Sequence, residues 1–251
     1  TEHHFYGAVA YADPVVFGAA VAMRTQRVRI GFAVVEMALH HPVRLAVQTS
    51  LLDHLSRGRL IVGTGRGSAY NEYEYIGFGT TMTAGRDMLP EAEELLVKAW
   101  TGEDVRHEGR FWKVTFPELR PRPYQQPHPP VWVPVTVSKE TIAWAARENV
   151  PITPGANATL AARRDMVRYY AQCLAKHGHT ITPGHIVMGA SVYVADSRQQ
   201  ALQEAGPSML YFLHTLFSHG NISSVERQMQ AGYRKEEDYD YIRPENREGF
   251  L

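Results

Sequence analysis

The sequence predicts an α/β fold built on parallel strands, and three observations point there. Stretches of helical spacing alternate with short apolar runs along most of the chain. The run Arg59-Leu60-Ile61-Val62-Gly63 is almost wholly apolar, as a strand covered on both faces should be, and Gly65-Arg66-Gly67 lies just past it. The chain has 251 residues, 44% of them hydrophobic, enough for one large core. An eight-stranded (β/α)8 barrel typically takes roughly 250 residues, so the length allows one.

The elements follow in order. Thr1-Glu2-His3-His4-Phe5 reads as the end of a strand, and a helix is expected over Pro14 to Thr25, then a strand over Val28 to Val35. Pro42 suits a first helical turn, which Ala46, Gln48, Thr49, Leu51, Leu52 and Leu55 continue at helical spacing. Ser56-Arg57-Gly58 stops that helix, with Gly58 able to take the left-handed conformation of a C-terminal cap. After the strand Arg59 to Gly65 come a polar, aromatic loop over Ser68 to Thr83 and a helix over Gly85 to Trp100. Val105 to Val114 reads as a small hairpin. The six prolines between Pro117 and Pro130 exclude regular helix and make a stiff surface run. Then follow a strand at Val131 to Val137, a helix at Ser138 to Glu148, a short strand at Val150 to Pro154, a helix at Leu160 to His177 and a strand at Ile186 to Ala195. Asp196 is placed to cap a last helix over Arg198 to Phe217, and the tail 221–251 is polar and irregular.

Composition narrows the function classes. Lys+Arg and Asp+Glu both number 26, so no basic excess points to nucleic acid. No apolar run approaches the roughly 20 residues that span a bilayer, and no signal-peptide pattern is visible. The one cysteine, Cys173, excludes an intramolecular disulfide and fits a reducing, cytoplasmic setting. It sits in the helical stretch MVRYYAQCLAKHG and reads as an ordinary helix residue. Twelve histidines raise the question of a metal, yet neither an HExxH motif nor a Cys/His cluster is present.

A guanidinium between two glycines at the C-terminal end of a parallel strand suits a phosphate, because ligands of such folds sit at that end and glycine lets backbone approach closely. GTGRGS completes neither GxGxxG nor GxxxxGK[ST], so neither a dinucleotide loop nor a Walker loop is supported. The whole segment HPVRLAVQTSLLDHLSRGRLIVGTGRG closely resembles the matching part of the luciferase-like flavin monooxygenases, the group that includes bacterial luciferase. TEHHF, RVRIGFAVV and HPPVWVPVTVSKETIAWAARE agree with it in order and spacing over nearly the whole chain.

The resemblance implies a single luciferase-like TIM-barrel domain over residues 1–251. At most six strands and the stub of another are legible where the barrel needs eight. The expectation is therefore a (β/α)8 TIM barrel truncated at both ends, lacking its first strand and helix and its last strand and helix. Exposed edges would follow, so the chain alone is expected to aggregate or to need a partner. The complete protein is expected to be a homodimer.

Roles come with the resemblance. His3, the first histidine of EHHF, would face the flavin as an acid/base, a task suited to imidazole. Neighbouring strand residues alternate, so His3 and His4 are not both expected in the pocket. Ala33-Val34 would form a non-prolyl cis peptide against the flavin ring, Val34 being larger than the family's usual residue there. Arg66, with Ser138 and Thr141 at the start of a helix, would hold the FMN phosphate. Read without the resemblance, Ser138 is a plain N-cap. Thr153 matches a position whose backbone lies near the ring. Gly65 and Val137 replace a reactive cysteine and a phosphate-contacting glutamate of bacterial luciferase, so neither contact transfers. His40-His41 reads as capping or packing. Tyr70, Tyr73, Tyr75 and Phe78 read as loop aromatics that wall a substrate pocket or anchor the loop.

The function so implied is a flavin-dependent monooxygenase that takes reduced FMN from a separate reductase. It would form a C4a-(hydro)peroxyflavin with O2 and oxygenate a small organic molecule of the aldehyde, alkane or ketone class. Two other readings stay open: an F420-dependent oxidoreductase of the same fold, and a non-catalytic flavin-binding protein.

Overall fold

Helix α1 (Pro14–Arg24) begins where the sequence supplies its own cap: the Asp13 side chain accepts the N–H groups of Val15 and Val16, both at 2.9 Å, and Pro14 takes the first helical position. The computed structural model describes residues 1–5, 12–67, 72–135, 139–155, 160–189 and 192–218. These fall into two compact units. One holds 1–4, 12–67 and 73–134; the other holds Phe5, Glu72 and the described residues from Val135 onward.

In the first unit, β1 (Ile30–Gly31) and β2 (Val35–Glu36) take the place of the single strand expected over Val28 to Val35. Both run parallel to β3 (Leu60–Gly65) on one side of it. The reason for the break lies in the register. The offset of 30 residues at Ile30–Leu60 drops to 29 at Val35–Thr64, so one extra residue is taken up between the two short strands, as in a bulge. The Ala33–Val34 peptide bond in that stretch is cis.

Between β2 and β3 runs α2 (Pro42–Ser56). Arg57 closes it in the left-handed conformation (φ 54°) and Gly58 follows at φ 77°, so two residues make the turn assigned to Gly58 alone. Arg59 then fans all five guanidinium donors onto oxygens of this corner: Ser56 O, Thr25 Oγ1, Val28 O, Ala22 O and Thr25 O, at 2.6–3.0 Å. The expected loop over Ser68 to Thr83 contains a helix, α3 (Glu72–Gly77), whose Tyr75 is fully buried; apolar burial overrides the turn-like composition there.

Helix α4 (Met82–Thr101) packs on α2, and its Trp100 indole N–H donates to Thr49 Oγ1 at 3.1 Å. The hairpin of β4 (Glu103–Glu108) and β5 (Lys113–Glu118) is antiparallel, as expected. It is anchored to α4 by Glu91, whose carboxylate accepts the N–H groups of Arg110, Phe111 and Trp112. The proline run is tied to α2 through Asp53, which takes the backbone and side-chain N–H groups of Gln125, each at 2.7 Å.

Strand β6 (Val131–Val135) pairs in parallel with β3 on the side away from β1, Val62 opposite Val131 and Gly63 opposite Trp132. The Trp132 indole needs two glycines beneath it. Its N–H donates to Phe32 O at 2.6 Å, and a Cβ on Gly63 would stand 1.9 Å from that same oxygen. A Cβ on Gly31 would stand 2.7 Å from the indole ring.

In the second unit α5 (Lys139–Arg147), β7 (Ile152–Pro154) and α6 (Leu160–Lys176) pack around Val135, Ile142, Ile152, Tyr170 and Leu174, and α7 (Arg198–Ser218) follows in sequence. Cys173 is a buried α6 residue in that core. Gly155 N–H donates to Val135 O at 2.9 Å, and Ile152 bridges Ile186 in parallel. That single bridge is all that forms, among the described residues, of the strand expected over Ile186 to Ala195. The partner β7 has three residues, too short to extend the ladder, and Val192, Tyr193 and Val194 are exposed. Ser197, not Asp196, caps α7: its Oγ accepts from Gln200 N–H at 3.1 Å. Ser138 and the tail 221–251 lie outside the described residues.

Candidate active site

In the first unit the chain segments with chemical character meet where β2 and β3 end. Residues 1–4 are not in a strand, so the alternation rule does not govern them. His3 and His4 reach the same carboxylate, Glu74 of α3. Glu74 Oε2 lies 2.7 Å from His4 Nδ1, Oε1 accepts the His4 backbone N–H at 2.8 Å, and His3 Nδ1 stands 3.6 Å from Oε1. Burial opposes ionisation of Glu74, but the bonds from the His3 ring and from the His4 N–H and ring outweigh it and hold the carboxyl below its usual range. The His4 ring also meets Phe78 edge-on, with centroids 4.7 Å apart.

Glu2 is the second buried carboxylate. It accepts Glu36 N–H at 2.7 Å, approaches His40 Nε2 at 2.8 Å and lies 3.4 Å from His4 Nε2. The TEHH segment is thereby fastened to the end of β2 by Glu2 and to α3 by His4. His40, read from sequence as packing or capping, serves as a partner of Glu2.

Arg66 and Gly67 follow β3 directly. Tyr75 Oη donates to Arg66 O at 2.7 Å, and a Cβ on Gly67 (φ 90°) would stand 2.5 Å from Glu36 Oε2 and 2.9 Å from Tyr75 Oη. The backbone approach that favours glycine is therefore real at Gly67. At Gly65 a Cβ would stand 2.9 Å from Val34 Cγ2, which packs the cis Ala33–Val34 pair against the end of β3. Ala33 is exposed and Val34 half-buried. His3, Ala33, Val34 and Arg66 thus belong to one unit and one end of its parallel strands.

The remaining candidates belong to the second unit. Thr141, the third residue of α5, is half-buried. Thr153, on β7, has a buried Oγ1 with no hydrogen-bond partner among the described residues. Tyr75 is an interior strut, Tyr73 and Phe78 are exposed, and Tyr70 lies outside the described residues.

Glu74 and Glu93 escaped sequence reading. Glu74 lay in a stretch read as loop. Glu93 left a signal: it sits four residues after Leu89 and three before Leu96, on the apolar face of a helix. It is buried, accepts from Thr64 Oγ1 of β3 at 2.7 Å, and burial pushes its carboxyl up to about 7 against that hydrogen bond. Among the described residues no group of histidine, cysteine and carboxylate could hold a metal ion, and no helix is long and apolar enough to cross a membrane.

Comparison with known proteins bears on the family and the fold. The family model described as luciferase-like monooxygenase matches residues 1–249. The oxygenase component of flavin-dependent trigonelline monooxygenase from Acinetobacter baylyi is 29% identical over 213 residues, 84% of this chain and 58% of that protein. Monooxygenase RslO1 from Streptomyces bottropensis superposes with a TM-score of 0.81 at 26% identity, covering 99% of this chain and 76% of that one. The oxygenating constituent of 3,6-diketocamphane monooxygenase from Pseudomonas putida, solved with FMN, shares the fold at 18% identity, with a TM-score of 0.74 over 95% of this chain and 71% of that one. The chain spans about half the length of the curated relatives it matches. Its α/β fold is of the luciferase-like TIM-barrel kind, and the chain belongs to the luciferase-like monooxygenase family.

Proposed function

We propose that this chain binds reduced FMN and uses it with O2 to oxygenate a small organic substrate of the aldehyde, alkane or ketone class. One oxygen atom goes to the substrate and the other leaves as water, with two electrons and two protons taken from the reduced flavin. The observation that carries the reading is the meeting, at one end of parallel strands, of the His3 segment, the cis Ala33–Val34 pair and Arg66. The residues present suit the cofactor. Ala33 is exposed at the end of the parallel strands, where a flat ring can lie against it, and Arg66 is permanently charged.

In this reading Ala33 and Val34 back the ring, and Thr153 lies near it. Arg66 neutralises the phosphate, and the resemblance adds the hydroxyls of Ser138 and Thr141 to it. His3 holds or takes the proton at the reacting oxygen, in a segment fixed by the buried carboxylates Glu2 and Glu74. A separate reductase supplies the reduced flavin; a relative named as an oxygenase component supports this. A homodimer fits the exposed Val16, Phe17 and Met23 of α1 and Leu51 and Leu55 of α2, two helices that pack together through Gly18 and Leu52.

Anaerobic titration with reduced FMN, then FMN, on the wild type and Arg66→Ala tests the reading. Tight binding that weakens at least about tenfold in the variant, about 1.4 kcal/mol, is expected. Absence of binding by the folded wild type overturns it and turns attention to F420. Binding of reduced FMN without O2-dependent turnover of any substrate tried would favour the non-catalytic flavin-binding reading.

A further inference from the structure

We propose that Glu74 is the positioning residue of this site: its carboxylate holds the His3–His4 segment and fixes hydrogen on Nδ1 of both rings, so that His3 offers Nε2 as its basic nitrogen. The inference rests on the reading of His3 as the proton-handling residue.

Geometry and satisfaction of donors carry it. Glu74 is fully buried; its two oxygens accept the His4 N–H at 2.8 Å and meet His4 Nδ1 at 2.7 Å, and His3 Nδ1 stands at ion-pair distance, 3.6 Å. A carboxylate held in the ionised form only accepts, so a 2.7 Å contact requires hydrogen on His4 Nδ1. The same fixed anion, the one charged group within ion-pair distance of the His3 ring among the described residues, favours hydrogen on His3 Nδ1. Nε2 of His3 has no hydrogen-bond partner among the described residues. The other ionisable groups around the segment face elsewhere. Glu2 lies toward His4 Nε2 and His40, Glu36 lies beneath Gly67, and Tyr75 donates to Arg66 O. Among the described residues Glu74 is the carboxylate within ion-pair distance of both histidines of the motif.

A role in packing and a role in tautomer choice give different results by ring-nitrogen NMR. The full chain, labelled with 15N in its histidine rings, is compared as wild type, Glu74→Gln and Glu74→Asp. In the wild type, His3 and His4 are expected with hydrogen on Nδ1. Glu74→Gln keeps the shape and removes the charge, and the ratio of Nδ1–H to Nε2–H in His3 is expected to fall about tenfold. Glu74→Asp is expected to restore part of it. Unchanged tautomer ratios in a folded Glu74→Gln protein overturn the proposal. Should that variant fail to fold, the wild type decides: hydrogen on His3 Nδ1 supports the proposal, and hydrogen on Nε2 overturns it. Reduced FMN is titrated in parallel. A folded wild type that binds none overturns the cofactor reading, while the tautomer result still judges Glu74 separately.

Discussion

Glu93 makes the stability of the first unit depend on pH in a direction opposite to that of a paired surface carboxylate. Its carboxyl is buried between α4 and β3, where it accepts a hydrogen bond from Thr64 Oγ1, and it titrates at about 7 instead of the ordinary 4.5. Between those two values the folded chain keeps a proton that the unfolded chain gives up. Stability from this group is therefore complete below about pH 4.5, falls as pH rises toward 7, and is level above it. The difference of two to three pH units corresponds to roughly 3 kcal/mol. Glu93→Gln is neutral at every pH and can still accept the Thr64 hydroxyl. In urea unfolding across pH 5 to 8.5, the variant should match the wild type within about 1 kcal/mol at the acid end and exceed it by roughly 3 kcal/mol at the alkaline end. Comparison of the two proteins cancels the other titrating groups. Parallel stability curves would refute the reasoning, because they would mean that Glu93 ionises in the fold as readily as it does in water.

Two further expectations concern the scaffold. Arg59→Lys replaces a fan of five donors by three on a mobile stem, so about 2 kcal/mol of stability should be lost in thermal or urea unfolding. A loss below about 0.5 kcal/mol would mean that water takes over those oxygens. Gly63→Ala puts a methyl group 1.9 Å from Phe32 O, a backbone atom that cannot step aside, and should cost about 2 kcal/mol or more. Gly79→Ala, with nothing within 4 Å and φ 73°, should cost only the roughly 1 kcal/mol of its left-handed backbone; equal losses would contradict the packing account of Gly63.

Much of this scaffold is legible in the sequence because local chemistry and long-range packing agree. Pro42, the run after Arg59 and Arg57–Gly58 mark α2, β3 and the turn between them, and the hairpin near Gly109 follows from its alternation. Legibility ends where neighbours decide. The break between β1 and β2 is a register event involving β3, so no property of residues 28–35 alone announces it. Helix α3 has polar and aromatic residues that look like turn composition, and only the burial of Tyr75 in the core, set by distant neighbours, makes it a helix. The strand expected over Ile186 to Ala195 has the right residues but only a three-residue neighbour to pair with. At the site, His3, Ala33–Val34 and Arg66 come from sequence, whereas Glu74 becomes visible only once the chain has folded back across 70 residues to meet His4.

Helix α3 has six residues, and two consecutive ones hold different parts of the site: Glu74 grips the His3–His4 segment and Tyr75 grips the carbonyl of Arg66. Neighbouring helical residues turn about 100° from one another, which is how so short an element can serve two segments at once. It follows that, in the proposed reading, the proton end and the phosphate end share one mechanical mount. A sequence change that tilts this mount displaces both together. Independent tuning of either end would then have to come from residues that touch only one of them, such as Glu2 on the histidine side.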